Sequence, residues 1–342
     1  MKTKIIITIS LSLAAILLGI GIGSTNIPPA DIIQIILHDL FGFALPEHIP
    51  QARVEIVINL RTPRALLAFF VGAALSASGA VMQSVLRNPL ASSYTLGVSS
   101  GASLGASLVF FLGVSLPFFP MMTLPILGFT FGLATVFIVV TIAQRLDIQM
   151  QNHTIILAGM VFSLFISSVT TLMFALFREG IQRMVFWQMG SFSMRGWYPV
   201  YILAIVAFIG IFLISRFKWE LDVMTFGEEQ AHAIGVNVKF AKMALLIIAA
   251  ALTGSAIAFV GVIGFVDLVA PHVTRRIFGA RHKIVIPMSA LIGGLSMVLA
   301  DIVARTVTAP VELPVGAVTA IIGAPFFGYI YFGKFGKRNK QA

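Results

Sequence analysis

Long apolar runs separated by short polar stretches constrain this chain more than any other feature. Each run is near the ~20 residues that an α-helix needs to cross the hydrocarbon core of a bilayer. Only 11% of the 342 residues are charged and 58% are hydrophobic, whereas an ordinary soluble domain carries roughly 25% charge. The sequence therefore predicts an all-α polytopic membrane protein, with a single transmembrane domain over 1–342 and about ten transmembrane helices. The expected spans are 5–23, 65–85, 95–114, 122–143, 154–176, 198–216, 240–260, 261–278, 284–304 and 315–333, the eighth being short and interrupted by Pro271.

The first apolar run has two interpretations. Met1-Lys-Thr-Lys followed by apolar residues resembles a signal peptide, whose apolar region is usually 7–15 residues long. Here the apolar run is longer, covering 5–23, and no cleavage site of small residues is evident near Thr25. We expect the run to be retained as the first span.

The distribution of cations predicts the orientation in the membrane. An even number of spans places both termini on one side, and cytoplasmic loops are enriched in Lys and Arg. With the N-terminus inside, sixteen of the 23 lysines and arginines, including every lysine, fall on the cytoplasmic face. The net charge of +10 is then an orientation signal, and we expect no nucleic-acid partner. The seven cations on the other face are Arg53, Arg61, Arg64, Arg178, Arg183, Arg195 and Arg305.

It is notable that all seven external cations are arginines. One interpretation is that their aliphatic stems lie along apolar surface while the guanidinium groups reach water. The alternative is that some face a docking partner, because the planar guanidinium holds a carboxylate better than an ammonium group does.

Two stretches are too polar or too long to be simple turns between spans. Residues 24–60 form an external segment with a short amphipathic piece near 32–40. Residues 217–238 form a cytoplasmic insert that is expected to fold into one or two short helices, with Glu228 and Glu229 at a helix start and Gly235 as the stop. The insert is either a plain loop or a contact surface for a soluble partner.

Small residues recur four apart in the third span. Gly97, Gly101 and Gly105 form a doubled GxxxG pattern with serines beside it, and such a face lets another helix approach closely. Tight helix packing is one interpretation, and the other is that this face lines or borders a transport pathway.

The chain lacks the usual marks of an enzyme or an ion-coupled pump. It has no cysteine and no metal-ligating histidine pair, and the phosphate-loop-like stretch at 328–334 runs through an apolar span and lacks the Ser or Thr that should follow. Asp301 is expected to pair with Arg305 four residues later. Asp267 then remains as the one unpaired acid near a span, so an ion-coupled secondary transporter using Asp267 is the alternative of a different class.

Several motifs in fixed order resemble one family. Arg61-Thr-Pro-Arg64 and VGAALSASGAVMQSVLRNPLASSYTLGVSSGA at 71–102 resemble the FecCD-type permeases of ABC importers, which take up iron–siderophore complexes, haem and cobalamin. FGEEQAHAIGV at 226–236 is similar to the LGEExAxxLGV coupling segment of that family. GVIGFVDLVAPHVTRRIFG at 261–279, ADIVAR at 300–305 and ELPVG at 312–316 continue the likeness, which covers about 56–332. Asp267 departs from the small residue, such as glycine, expected at its position.

The resemblance implies a BtuC-like ABC importer permease fold in a bacterial cytoplasmic membrane. It implies a transport subunit without enzymatic activity or a bound cofactor, which pairs with an identical or paralogous permease. Two ATPase subunits would use ATP and Mg²⁺ on the inside, and a substrate-binding lipoprotein would dock outside. The expected cargo is an iron–siderophore complex, with cobalamin or haem as the alternative.

The resemblance also implies roles for particular residues. By motif, the residues that dock the binding protein are Arg61, Arg64 and Arg305, and the cytoplasmic gate is Asn152, His153 and Thr154. The residues that couple the permease to the ATPase are Gly227, Glu228, Glu229, Ala231 and Gly235. No catalytic and no metal-binding residue is expected.

Overall fold

The computed structural model describes residues 1–23 and 27–338, with side chains as far as residue 328. Regular structure in these residues is helical. The α-helices are α1 (Lys2–Gly21), α2 (Pro29–Phe41), α3 (Gln51–Glu55), α4 (Thr62–Val85), α5 (Val98–Leu112), α6 (Thr123–Leu146), α7 (Asn152–Leu176), α8 (Ile181–Met189), α9 (Trp197–Arg216), α10 (Lys218–Met224), α11 (Glu228–Ala233), α12 (Val238–Val260), α13 (Val266–Phe278), α14 (His282–Thr306) and α15 (Val315–Arg338). A π-helical turn at Ile56–Arg61 joins α3 to α4, and 3₁₀ turns lie at Ser93–Leu96 and Pro120–Met122.

Each expected span corresponds to a helix, but two of these helices, α5 and α13, are short. Within the described residues, seven helical stretches are long and apolar enough to cross a membrane, and α5 and the Val315–Gly328 part of α15 are shorter apolar segments. The helix α13 has 13 residues, or about 20 Å at 1.5 Å per residue, against a hydrocarbon core of about 30 Å. The all-helical membrane class is confirmed, and the count of ten spans stays a prediction.

The interruption expected at Pro271 lies elsewhere. Pro271 is inside α13, and the break occurs at 261–265, where Phe265 has φ +70°. Pro271 has no N–H to donate to the carbonyl of Asp267, four residues earlier. That carbonyl lies against Gly79 of α4, where any Cβ atom would overlap it.

Two irregular segments meet inside the bundle. The non-helical chain between α4 and α5 approaches the break at 261–265, and the hydroxyl of Tyr94 donates to the carbonyl of Ile263 at 2.6 Å. Ser92 donates to the carboxylate of Asp267. The Tyr94 bond satisfies a carbonyl of the irregular backbone, which inside a membrane must find its partner within the protein.

The core is centred on α4. Most of its residues are buried, against α14, α12, α9 and α13. Glycines permit these contacts: a methyl group on Gly72 would overlap the carbonyl oxygen of Gly293 in α14. The close α4–α14 packing fixes the relative positions of the side chains at the end where α4 begins and α14 ends.

The segments outside the bundle follow the sequence prediction closely. The amphipathic piece is α2, which buries Ile32 and Ile35 and holds Asp31 at 2.7 Å from Arg53. The insert at 217–238 folds into the two short helices α10 and α11. Residues 24–26, at the start of the expected external segment, and Lys340, expected on the cytoplasmic face, lie outside the described residues.

Candidate functional site

The residues expected to dock the binding protein and those expected to couple to the ATPase lie at opposite ends of the bundle. We call the end that carries Arg61, Arg64 and Arg305 the arginine end. The end that carries α10 and α11 is the insert end. The helix α4 starts at the arginine end and leads to the insert end, and α14 runs back. This antiparallel packing brings Arg64 and Asp301 together although 237 residues separate them.

At the arginine end, Arg64 holds two carboxylates. Its Nε and Nη2 donate to Oδ1 of Asp301 at 3.0 Å and 2.8 Å, and Nε also donates to Oδ2 at 3.1 Å. Its Nη1 donates to Oε1 of Glu312 at 2.7 Å. The side chain of Asp301 is 1% exposed and that of Glu312 39%, so the first pair is structural and the second lies near the surface.

The expected pairing of Asp301 with Arg305 is present, and the structure adds a second partner. The contact with Arg305 exists, since Nε of Arg305 lies 3.4 Å from Oδ2 of Asp301, but the main partner of the carboxylate is Arg64. Spacing of four residues favours a local pair, whereas the fork of Arg64 matches both carboxylate oxygens. Helix packing therefore decides the pairing over local spacing.

Arg61 and Arg305 bind the C-terminal end of α1. Arg61 donates to the carbonyls of Gly21 at 2.8 Å and Ile20 at 3.3 Å, and Arg305 donates to that of Gly19. The last carbonyls of a helix lack partners and carry partial negative charge, so cations stabilise them. Both arginines are buried, and they are therefore not protruding surface groups as a simple docking patch would require.

A cavity of about 480 Å³ opens at the arginine end. Four arginines line it, namely Arg61, Arg64, Arg195 and Arg305, together with Glu312. Burial lowers the pKa of Arg195 from its ordinary value, and its Nε has no hydrogen-bond partner among the described residues. Partial burial acts to raise the pKa of Glu312, but Arg64 holds that pKa below its usual value. The cavity is thus positively charged and suited to a carboxylate.

At the insert end, α11 is held on the bundle by its apolar side. Ala231 is fully buried and packs with Met224, Val236 and Val238. Gly227 and Gly235 bracket the helix with φ of +134° and +86°, conformations that favour glycine. Outward from this core, Phe226, Glu229 and Ile234 are exposed, as a partner surface would require.

The expected gate residues are the first three of α7. Asn152 and Thr154 are half-buried and His153 is exposed. The preceding turn is fixed by Asp147, whose carboxylate accepts from the backbone N–H groups of Gln149 at 2.9 Å and Gln151 at 2.8 Å. The N–H of Gln151 is the main cause that lowers the pKa of Asp147, although burial opposes it.

Lys242 joins the coupling segment to the gate. Its Nζ donates to Oε1 of Glu228 at 2.7 Å, to Oδ1 of Asn152 at 2.8 Å and to the carbonyl of Met150 at 2.9 Å. Sequence reasoning counted Lys242 only among the cytoplasmic cations. The sequence feature that could have singled out Lys242 is its place inside an apolar span. It is the fifth residue of α12, and a charge inside a span needs partners.

The glycines of the doubled motif lie in two environments. A methyl group on Gly101 or Gly105 would overlap backbone carbonyl oxygens of α6, those of Phe131 and Leu127. Gly97, with φ +86°, begins α5 and faces Ser163 of α7. The structure thus places Gly101 and Gly105 in α5–α6 packing.

A cavity of about 400 Å³ lies on another side of α5. It is lined by Ser99, Ser100, Ser103, Ser167, Thr170, Thr171, Phe174, Gln188 and Val262. None of these residues carries a charge, and in the described part of the chain the side chains of Ser99, Ser100, Ser103 and Gln188 make no hydrogen bond. The cavity therefore offers neutral hydrogen-bonding groups to whatever occupies it.

Asp267 lies apart from both cavities. It is 2% exposed, and its Oδ1 has no hydrogen-bond partner in the residues the structure describes. A group that exchanges ions during transport needs access to them. Over the same residues, no three His, Cys, Asp or Glu side chains cluster to hold a metal ion.

Several transport permeases are similar in sequence to this chain over most of its length. The uncharacterized ABC transporter permease protein YvrB of Bacillus subtilis is 42% identical over 95% of this chain and 92% of its own. The cobalamin import system permease protein BtuC of Halobacterium salinarum is 35% identical, over 82% of this chain and 74% of its own. The Fe(3+)-citrate import system permease protein YfmD of B. subtilis is 36% identical over 80% of each chain.

A solved structure extends the likeness to three dimensions. A metal-chelate type ABC transporter in an inward-facing conformation superposes with a TM-score of 0.84 at 28% identity, covering 97% of this chain and all of the other. The protein is therefore a permease subunit of an ABC importer, not itself an enzyme. Residues 11–332 match the FecCD transport family, and the chain belongs to that family.

Proposed function

We propose that this permease carries an iron–siderophore complex across the bacterial cytoplasmic membrane, with the arginine end outside and the insert end in the cytoplasm. The uncharged cavity beside α5 is the observation that carries the proposal. A hydrophilic chelate needs hydrogen-bonding groups along its path, and a path without fixed charge releases it readily. The names of the relatives, which include a Fe(3+)-citrate and a cobalamin import system, support a chelate as cargo.

The proposed assembly uses both ends. Two permeases, identical or paralogous, would form the pathway, and both termini would lie in the cytoplasm, consistent with the excess of cations there. A binding protein would insert carboxylates into the positive cavity outside, at Arg61, Arg64 and Arg305. Two ATPase subunits would contact α11 through Phe226, Glu229 and Ile234, and the gate would be Asn152, His153 and Thr154.

The mechanism is a shift between two populations. ATP binding and hydrolysis bring the ATPases together and apart, and α11 passes that movement to the helices. Affinity for the chelate would lie mainly in the binding protein.

Uptake into proteoliposomes tests the proposal. The permease is purified with its partner ATPase and substrate-binding protein, and ATP-dependent uptake of ⁵⁵Fe-ferrichrome is compared with that of haemin and radiolabelled cobalamin. We expect ferrichrome uptake that requires ATP and the binding protein. Uptake of haemin or cobalamin alone would contradict the choice of cargo.

A matched variant tests the class of transporter. Asp267→Asn keeps the shape of the side chain and removes its charge, and we expect ATP-dependent uptake to survive. Uptake that needs an ion gradient instead of ATP, and that Asp267→Asn abolishes, would establish the ion-coupled alternative.

A further inference from the structure

Lys242 is a fully buried cation with every donor in use. Its relative exposure is 0%. A lysine ammonium has three N–H donors and no acceptor, and here all three bond to protein, at 2.7 Å, 2.8 Å and 2.9 Å. A buried ammonium is tolerated only with such complete pairing, because unpaired burial of a charge is costly.

The three acceptors belong to two different parts of the chain. Glu228 is the first residue of α11, whereas Met150 and Asn152 flank the start of α7. Without Lys242 these parts have no direct polar link among the described residues. The lysine itself sits on α12, so three helices meet at one nitrogen atom.

The turn before α7 is rigid enough to move as one piece. Asp147 accepts three hydrogen bonds from it, two from backbone N–H groups and one from Thr154 Oγ1 at 3.3 Å. Met150 has φ +52°, an uncommon conformation for a residue other than glycine. A pull on the carbonyl of Met150 and the side chain of Asn152 therefore moves the start of α7 instead of deforming the turn.

Displacing α11 alone would separate Glu228 from Lys242. That would leave a buried ammonium without its counter-ion, and breaking a buried pair on one side is strongly unfavourable. Moving α11, Lys242 and the start of α7 together keeps all three bonds and avoids that cost. The low-energy motion is the joint one.

We propose that Lys242 is a positioning residue that transmits movement of α11 to the gate at the start of α7. The inference rests on the proposed function and deepens it, because it names the contact through which the ATPase would act on the pathway. Lys242 touches neither nucleotide nor chelate and acts through Glu228 and Asn152.

A thiol reporter tests this without knowledge of the cargo. The chain has no cysteine, so Gln151→Cys, at an exposed position in the turn, introduces a single one. The rate of maleimide labelling is measured on the reconstituted complex with its ATPase, with and without ATP and vanadate. In the otherwise unmodified chain, we expect nucleotide to change the rate roughly fivefold or more, the lower end of usual coupling between sites.

Lys242→Met is then made in the same background, with Lys239→Met as the matched control. Lys239 lies in the same turn of α12 and is half-buried, and its side chain bonds to no described residue. We expect Lys242→Met to reduce the response to less than about twofold, at the level of lost coupling, while the ATPase still co-purifies and hydrolyses ATP. Lys239→Met should keep the full response.

The outcomes that overturn the inference are distinct from the one that contradicts the proposed function. An undiminished response in Lys242→Met overturns it, as does an equal loss in Lys239→Met. If Lys242→Met does not accumulate, Glu228→Ala takes its place, because it removes the bond between Lys242 and α11 while both bonds to the start of α7 remain; an undiminished response there again overturns the inference. No nucleotide response in the unmodified chain contradicts the proposed function itself.

Discussion

The two ends of the bundle use buried charge in different ways. At the arginine end, four guanidinium groups surround an open cavity, and among the described residues two carboxylates, those of Asp301 and Glu312, pair with them. At the insert end, one ammonium group is closed in by three oxygen atoms and faces no solvent. The first arrangement leaves positive charge for an incoming group, and the second leaves none.

The difference indicates that the arginine end is suited to receive a carboxylate of a partner and the insert end to transmit movement between helices. A guanidinium group has five donors, so Arg64 can hold Asp301 and Glu312 and still offer N–H groups to a carboxylate. A fully bonded ammonium group offers nothing further, and its bonds only tie helices together. The predictions below follow from this contrast, from the largest expected effect to the smallest.

The largest effect is expected from Asp301→Ala at the arginine end. It leaves the partly buried Arg64 without its bidentate partner, and breaking a buried pair on one side costs about 3–5 kcal/mol of folding free energy. The measurement is the temperature at which the purified permease loses its fold in detergent micelles. Glu312→Ala removes the more exposed partner of the same arginine, and a loss as large as that of Asp301→Ala would contradict the assignment of Asp301 as the structural anchor.

The next effect separates two adjacent glutamates at the insert end. Glu228→Ala strips Lys242 of its counter-ion and should cost about 2–3 kcal/mol, less than Asp301→Ala because two oxygen acceptors remain. Glu229→Ala, at an exposed position, should change stability by less than about 0.5 kcal/mol. Thermal unfolding of both variants and co-purification of the ATPase are measured together.

The expected pattern for these glutamates is a crossed one. Glu228→Ala should lower thermal stability and keep part of the ATPase contact, whereas Glu229→Ala should keep stability and weaken the contact. Equal behaviour of the two variants would show that α11 lies differently on the bundle.

These contacts mark the limit of what the sequence reveals. Hydropathy and turn residues predicted the long apolar helices, the amphipathic α2 and short helical structure in the insert, because those depend on residues close in the chain. The pairing of Asp301 with Arg64 was not predicted, because Arg64 is 237 residues away and its choice depends on α4–α14 packing. The bond between Asn152 and Lys242, which are 90 positions apart in the chain, was not predicted either. Periodicity predicts which face of a helix is buried, but it does not predict which helix packs against that face.

A smaller effect is expected from reversing one charge in the arginine-end cavity. Arg195→Glu should weaken binding of the substrate-binding protein by about tenfold, equivalent to about 1.4 kcal/mol, and more at low salt than at high salt. Replacing Arg61 and Arg305 by glutamate would also release the end of α1, so Arg195 isolates docking from folding.

The measurement is the affinity of the binding protein for the permease in nanodiscs at two salt concentrations. Arg178→Glu, an exposed arginine that does not line the cavity, is the control and should bind normally. Equal weakening by Arg178→Glu would mean that overall charge, and not the cavity, attracts the partner.

The smallest effect belongs to the uncharged cavity between the two ends. Ser103 is 8% exposed and lines it without an internal hydrogen bond to any described residue, so Ser103→Ala removes one neutral contact to the passing chelate. One neutral hydrogen bond contributes about 0.5–1.5 kcal/mol, and a path shared by many such groups should show the lower value, roughly a twofold change in the rate of ⁵⁵Fe-ferrichrome uptake.

Ser103→Asp should act far more strongly, because a fixed charge in a neutral passage either retains or repels the cargo. Ser168→Ala, on the exposed face of α7, is the control, and equal uptake by Ser103→Asp and the unmodified permease would place the passage elsewhere.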